Sequence, residues 1–398
     1  MDLSDSAEEA EFRAGARRFL DDAIPALSWP EPEDLEAKAP WWRDWQMRVH
    51  EAGYAGLTWP TEHGGRGLGE SLRAVWGEEC DRAGAPTRLN IIGEDFAGPT
   101  IVHFGTDEQK ARYLPRILSG EDIWCQLFSE PDSGSDLASL RTKAVKVDGG
   151  WRVSGQKIWT SRAQVAAHAI LLARTGGNAE DKARHRGISY FLLPMDAEGV
   201  TVRPLRHMLG EAEFNEVFLD EVFVPEDNLV GGVDGGWKVA MGTLAFERVA
   251  IATGRVNTTQ AVEALVEEVR RRTTPAGRPL GSEPLVRQKL ADLWGRALVH
   301  RTIGMRVVSD ADGGGPPGPV TSIGKLWFCP LVEDLADFGL SLEPLGGQFG
   351  LADDATEDSE GRRWLRLANQ ARGTAIAGGS TFIQRNIVAE KLLGLPRS

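Results

Sequence analysis

A chain of 398 residues is long enough to bury a large core, in two or three domains or subdomains. Its 41% hydrophobic and 26% charged residues exclude a disordered polymer, and a formal charge of −13 argues against nucleic acid or membrane as a partner. Three cysteines, Cys80, Cys125 and Cys329, lie far apart with no CxxC spacing, which predicts no metal centre and a reducing, cytoplasmic setting.

The acidic start lacks the basic and apolar regions of a signal peptide, and no apolar run approaches the ~20 residues that cross a bilayer. Residues 1–120 read as a helical domain. Phe12, Ala16, Phe19 and Leu20 recur at helical spacing, and Pro25–Pro40 reads as an acidic connector. Trp41 opens a further amphipathic helix through Val49. A glycine-rich turn follows between Gly53 and Gly67, where His63 reads as a turn residue rather than a catalytic one. Thr106 and Gln109 have the spacing of a capping box at a helix start.

From 121 to 232 the period changes to two, which predicts a small sheet domain. Thr142–Val153 alternates across an Asp-Gly-Gly turn and reads as a hairpin. Ala167–Ala173, Gly187–Pro194, Val200–Pro204 and Glu216–Pro225 are further strands. Residues 233–398 return to helix: one run over 237–272, another over 283–309, a glycine-proline connector at 312–319, then helices over 320–341 and 359–391. Two helical domains flanking a central antiparallel sheet make the predicted class α+β.

Two segments carry the chemistry. Gln126-Leu-Phe-Ser-Glu-Pro-Asp-Ser-Gly-Ser-Asp136 is a turn rich in hydroxyls and N–H groups, able to hold a polar cofactor without a charged side chain. Trp151-Arg-Val-Ser-Gly-Gln-Lys-Ile-Trp-Thr-Ser161 is a strand pattern ending in an aromatic and two hydroxyls. In order and separation they resemble the flavin-cradling signatures of the acyl-CoA dehydrogenase family, and the likeness extends over nearly the whole chain.

That resemblance implies FAD as cofactor, an acyl-CoA thioester as substrate and an electron-transfer flavoprotein as acceptor. It assigns Gln126, Phe128, Ser129, Gly134, Ser135, Trp159, Thr160, Ser161, Ser380 and Phe382 to the cofactor. Ser135, Arg248 and Gly378 are assigned to the thioester. Trp159 would flank the isoalloxazine; the bland alternative is a core aromatic. The reaction implied is α,β-dehydrogenation, in which a base takes the α-proton and the β-hydride passes to flavin N5. A carboxylate suits the base, because burial beside an apolar acyl chain raises its pKa.

The commonest base position in the family falls on Gly378, in Ala377-Gly-Gly-Ser-Thr-Phe-Ile-Gln-Arg385, and glycine cannot accept a proton. A second position used by the family falls on Glu247, in Leu244-Ala-Phe-Glu-Arg248. An acid there is ordinarily a surface residue; the resemblance makes it the base. Gly378 would still offer its N–H to the thioester oxygen.

The segments with which family members complete a neighbour's FAD site depart from the pattern. Pro275 and Pro284 stand where phenylalanine and glutamine are usual, and Glu343, in Glu343-Pro-Leu-Gly-Gly-Gln348, replaces a glutamine. The pattern resembles subunits of bacterial α2β2 acyl-CoA dehydrogenases acting on steroid side-chain CoA thioesters, and implies a second, homologous subunit. Two other readings stay open: a flavin oxidase or monooxygenase on the same fold, and a non-catalytic scaffold subunit.

Overall fold

The computed structural model describes residues 5–32, 35–177, 183–208, 210–254, 257–313, 318–342 and 360–396, with the backbone alone at 248–254 and 360–362. The chain forms two compact units, Met1–Glu247 and Arg248–Ser398.

The first unit begins with helices α1 (Ala7–Ala23), α2 (Leu35–Glu51), α3 (Glu70–Ala83), α4 (Gly98–Phe104) and α5 (Asp107–Ser119). Thr106 and Gln109 form the capping box that the sequence predicts for α5, and Ser6 with Glu9 caps α1 in the same way. Helix α2 starts at Leu35, not at Trp41, and carries Pro40 inside it. The proline forfeits one helical hydrogen bond near the N-terminus, while Ala39, Trp41, Trp42 and Trp45 are all buried along the helix. Helices α1 and α3 are joined by the buried carboxylate of Glu79, which accepts from Arg13, Arg17 and Arg82. Tyr54 stacks on Trp76 at 4.4 Å beside them. A π-helical turn, Gly93–Ala97, leads into α4.

Eight strands follow: β1 (Trp124–Leu127), β2 (Lys143–Val147), β3 (Gly150–Ser161), β4 (His168–Arg174), β5 (Ile188–Pro194), β6 (Val200–Leu205), β7 (Phe214–Pro225) and β8 (Leu229–Val230). Their order is β6-β7-β3-β2-β4-β5-β8, with β1 pairing β4. The sheet is not purely antiparallel as predicted, since β1 runs parallel to β4 and β2 meets β4 in one parallel bridge. Parallel pairing needs a crossover. The chain between β1 and β4 supplies it, returning through the β2–β3 hairpin. Leu127, Leu171, Phe191, Leu193, Val217 and Val224 belong to the core of this sheet.

Helix α6 (Gly236–Gly254) leaves the sheet and crosses the boundary between the units. The second unit continues with α7 (Thr258–Arg271), α8 (Pro284–Asp312), α9 (Val320–Leu342), α10 (Glu360–Ile376) and α11 (Thr381–Ile387). Leu265, Leu293, Leu331, Leu335 and Trp364 form its core. The run predicted over 237–272 is two helices, because Asn257 caps α7 by accepting from Gln260 N. The run predicted over 359–391 also breaks, at Ala377–Ser380, where Gly378 and Gly379 take φ of 63° and 86°. Among the described residues no helix is long and apolar enough to cross a membrane.

Candidate active site

Strand β1 delivers Gln126 and Phe128 to the edge of the sheet domain, and the chain then turns through Pro131. The turn is closed by a reciprocal backbone pair between Glu130 and Ser133, at 2.8 and 3.0 Å. Ser133 Oγ donates to the carbonyl of Asp136, leaving Gly134 and Ser135 exposed at the tip. Strand β3 passes beside this loop, and Ile158 N donates to the Ser129 carbonyl at 3.0 Å. The two sequence segments are therefore brought together along Phe128–Ser129 and Lys157–Ile158.

At that meeting point β3 is irregular. Its register with β7 slips between Lys157 and Thr160, and Trp159 takes a φ of 60°. A bulky residue in the left-handed region is strained by roughly 1–2 kcal/mol, and bulges of this kind re-aim side chains. Trp159 is turned out of the sheet and is 59% exposed, with Phe214 edge-on at 6.0 Å. It is not a core aromatic. Thr160 is buried and Ser161 half-buried, and Asn215 holds the Thr160 carbonyl at 3.0 Å.

Three buried polar atoms here have no hydrogen-bond partner, Gln126 Oε1, Thr160 Oγ1 and Asn215 Oδ1. Buried polar atoms are ordinarily satisfied, so they point to a polar group that would complete the site. An exposed indole, exposed Gly134 and Ser135, and these unsatisfied atoms fit a large, flat, polar cofactor such as a flavin.

Glu247 lies on α6 and is half-buried. One turn earlier, Thr243 is fully buried and exchanges hydrogen bonds with Thr100 of α4 at 2.8 Å and Tyr190 of β5 at 3.2 Å. Tyr190 also packs edge-on against Phe128 at 5.9 Å. The helix bearing Glu247 is thus keyed to the strand behind the cofactor loop. Thr243 and Tyr190 are not legible as site residues in the sequence, because threonine and tyrosine in apolar runs carry no distinguishing spacing. The Arg248 side chain lies outside the described residues, as do Glu343 and Gln348.

In the second unit, Gly378 sits in the break before α11. Lys325 of α9 is buried and donates to the carbonyls of Ala377 and Gly379, and Gln384 donates to that of Gly378 at 2.9 Å. With three successive carbonyls held, the peptide planes at Gly378 are fixed. Ser380 occupies the cap position of α11 without a side-chain capping bond, and Phe382 is 73% exposed. Lys325 and Gln384 also escape sequence reasoning, since a lysine among apolar residues reads as a solvated one.

Pro275 lies in the turn after α7 and Pro284 opens α8. The neighbouring Arg272 is engaged inside its own unit, with Glu268 at 2.7 Å and the Leu342 carbonyl. A group of possible metal ligands, His207, Glu211 and Glu213, lies in the loop between β6 and β7. Each is partly exposed, an arrangement common without an ion.

Residues 6–121, 125–222 and 234–393 match the family profiles described as acyl-CoA dehydrogenase N-terminal, middle and C-terminal domain. The chain is 38% identical over 401 residues to the acyl-CoA dehydrogenase IpdE1 of Mycobacterium tuberculosis, covering 97% of this chain and 98% of that protein. Among solved structures it resembles the ChsE4-ChsE5 complex from Mycobacterium tuberculosis, at a TM-score of 0.86 and 29% identity, with 100% of each chain covered. It also resembles the Tcur3481-Tcur3483 steroid ACAD, at a TM-score of 0.85 and 28% identity, again with 100% of each chain covered.

Proposed function

Because the chain belongs to the acyl-CoA dehydrogenase family, flavin-dependent oxidoreductases of CH–CH bonds, we propose that it binds FAD and an acyl-CoA thioester, with Glu247 as the base. The observation that carries the cofactor reading is the outward-turned, exposed Trp159 on a strand whose neighbours Gln126, Thr160 and Asn215 keep buried, unsatisfied polar atoms. Bound FAD supplies the hydride acceptor for the oxidation.

The chain's own residues bind, orient and deprotonate. Trp159 would flank the isoalloxazine, and Gln126, Phe128, Ser129, Thr160 and Ser161 would hold the flavin ring. Gly134 and Ser135 would receive the pyrophosphate and the pantetheine arm. Ser380 and Phe382 would also contact the cofactor. Glu247 takes the α-proton, with Thr243 holding its helix in place. The Gly378 N–H polarises the thioester oxygen, its direction fixed through Lys325 and Gln384. Arg248 assists on the CoA side.

The chain works with a second, homologous subunit. The proline at Pro275 has no N–H, Pro284 cannot make a glutamine's bonds, and Arg272 is turned toward its own unit. A partner would supply the contacts that this chain does not offer in return. The two similar structures, the ChsE4-ChsE5 complex and a steroid ACAD, support an α2β2 assembly acting on a bulky, steroid-derived acyl-CoA. An electron-transfer flavoprotein would take the electrons.

The test is anaerobic mixing of the purified complex with acyl-CoA thioesters while the flavin absorbance is followed. Wild-type flavin should bleach. Glu247→Gln should keep its flavin and bleach at least ~10²-fold more slowly, the typical loss when a general base is removed. Near-normal bleaching in that variant would remove Glu247 from the role.

A further inference from the structure

The Lys157 side chain has no exposed surface, and neither the cofactor nor the base assignment uses it. Its ammonium donates to Glu130 Oε1 at 2.8 Å and to the Phe128 carbonyl at 3.1 Å. Glu130 in turn accepts Thr142 N on Oε1 at 2.9 Å and Arg141 N on Oε2 at 2.6 Å. One charge pair therefore gathers three stretches of backbone: the cofactor loop at 128–130, the lead into β2 at 141–142, and the last regular residue of β3 before its bulge.

Burying two charges is a poor route to stability. Desolvation costs several kcal/mol per ion, and well-packed apolar residues of equal volume commonly do as well or better. What an apolar pair cannot do is hold a carbonyl. With the Phe128 carbonyl on Lys157 and the Ser129 carbonyl on Ile158 N, the peptide planes behind both cofactor-facing residues are fixed from β3. Burial pulls the Lys157 ammonium below its usual value, with Glu130 opposing it. Burial also resists ionisation of Glu130, but Lys157 and the two backbone donors outweigh it and hold the carboxyl below its ordinary range.

We propose that Lys157 and Glu130 are positioning residues that build the flavin cradle before the flavin arrives, by locking residues 128–130 to the Trp159 bulge. This rests on the flavin reading above for its ligand, but not for its geometry. Preorganisation of this kind lowers the ordering cost that binding would otherwise incur.

The test begins with wild-type protein, purified with whatever partner accompanies it, stripped of flavin and examined by amide hydrogen exchange. Segments 128–133, 141–142 and 157–161 should stay protected without flavin. Free exchange there would show that the ligand, not the ion pair, organises the cradle, and would overturn the proposal. In Lys157→Met and Glu130→Gln the same segments should exchange at least ~10-fold faster and bind added FAD at least ~10-fold more weakly, as loss of a buried charge-assisted clamp implies, while α1 and α3 stay protected. Variants with unchanged exchange and unchanged FAD affinity would refute it. If the single variants do not fold, Lys157→Met/Glu130→Gln leaves no unpaired charge, and wild-type-like cradle protection in it would also refute the proposal. Wild-type protein that never takes up FAD would instead sink the cofactor reading, while the exchange pattern still decides this one.

Discussion

Trp159 and Lys157 stand two residues apart on one strand and are treated oppositely by the fold. The apolar side chain is turned into solvent at a strained φ, and the charged one is enclosed. Each inversion costs free energy, and inversions of this kind cluster at functional sites. Trp159→Gly relieves the backbone strain and loses one edge-on aromatic contact, terms of about 1–2 and 0.5–1.5 kcal/mol that nearly cancel. Its unfolding free energy should therefore change by less than ~1 kcal/mol, whereas a core tryptophan would cost about 3–5. Denaturant titration measures this, and the visible spectrum of any bound flavin should shift at the same time. The motif singles out Trp159 as a candidate site residue, and the structure turns it out to solvent. Lys157 and Glu130 lie in the same two motifs, but their role was hidden, because a sequence does not show that a lysine's ammonium ends inside the protein.

At the scale of elements, the positions of helices were legible and their ends less so. The capping box at Thr106 and the Asp-Gly-Gly hairpin announce themselves by side-chain chemistry and turn preference. The break before α7 had a signal too, Asn257 three residues before Gln260, but the apolar period continued across it and dominated the reading. The break at Gly378–Gly379 was overlooked for the same reason, although paired glycines favour the left-handed backbone seen there. The parallel partner of β1 could not be read at all, since the register of a four-residue strand leaves no trace in that strand's sequence. Two elements carry predictions. Thr243→Val would leave Thr100 and Tyr190 without their shared partner, costing about 1–3 kcal/mol. It should lower the rate of flavin bleaching with flavin content unchanged, and Thr243→Ser should restore it; equal losses in both variants would make the residue merely structural. Helices α1 and α3 should separate in acid. Burial raises the pKa of Glu79, but Arg17, Arg82 and Arg13 together lower it to about 2 from 4.5. Its contribution is therefore full above pH 4.5 and lost as pH falls towards 2. Glu79→Gln should be less stable than wild type at neutral pH and lose that difference across this window, which pH-dependent unfolding would check.

For the whole molecule, composition bounded the answer and the motifs supplied it. The family, the α+β class and the sequence of helices, sheet and helices were all readable from periodicity and two short segments. The proposed assembly has different support: Pro275 and Pro284, and an Arg272 engaged with Glu268 and the Leu342 carbonyl. On this reading the chain oxidises an acyl-CoA with a flavin that it holds jointly with an unlike partner. A reductive titration tests it most directly, with the complex purified under anaerobic conditions, its subunit ratio fixed by sedimentation, and acyl-CoA added until the flavin stops bleaching. About one reducible flavin per pair of unlike chains in an α2β2 assembly is expected, with little flavin retained by this chain made alone. A stable homotetramer of this chain with a reducible flavin in every subunit, active without a partner, would contradict it.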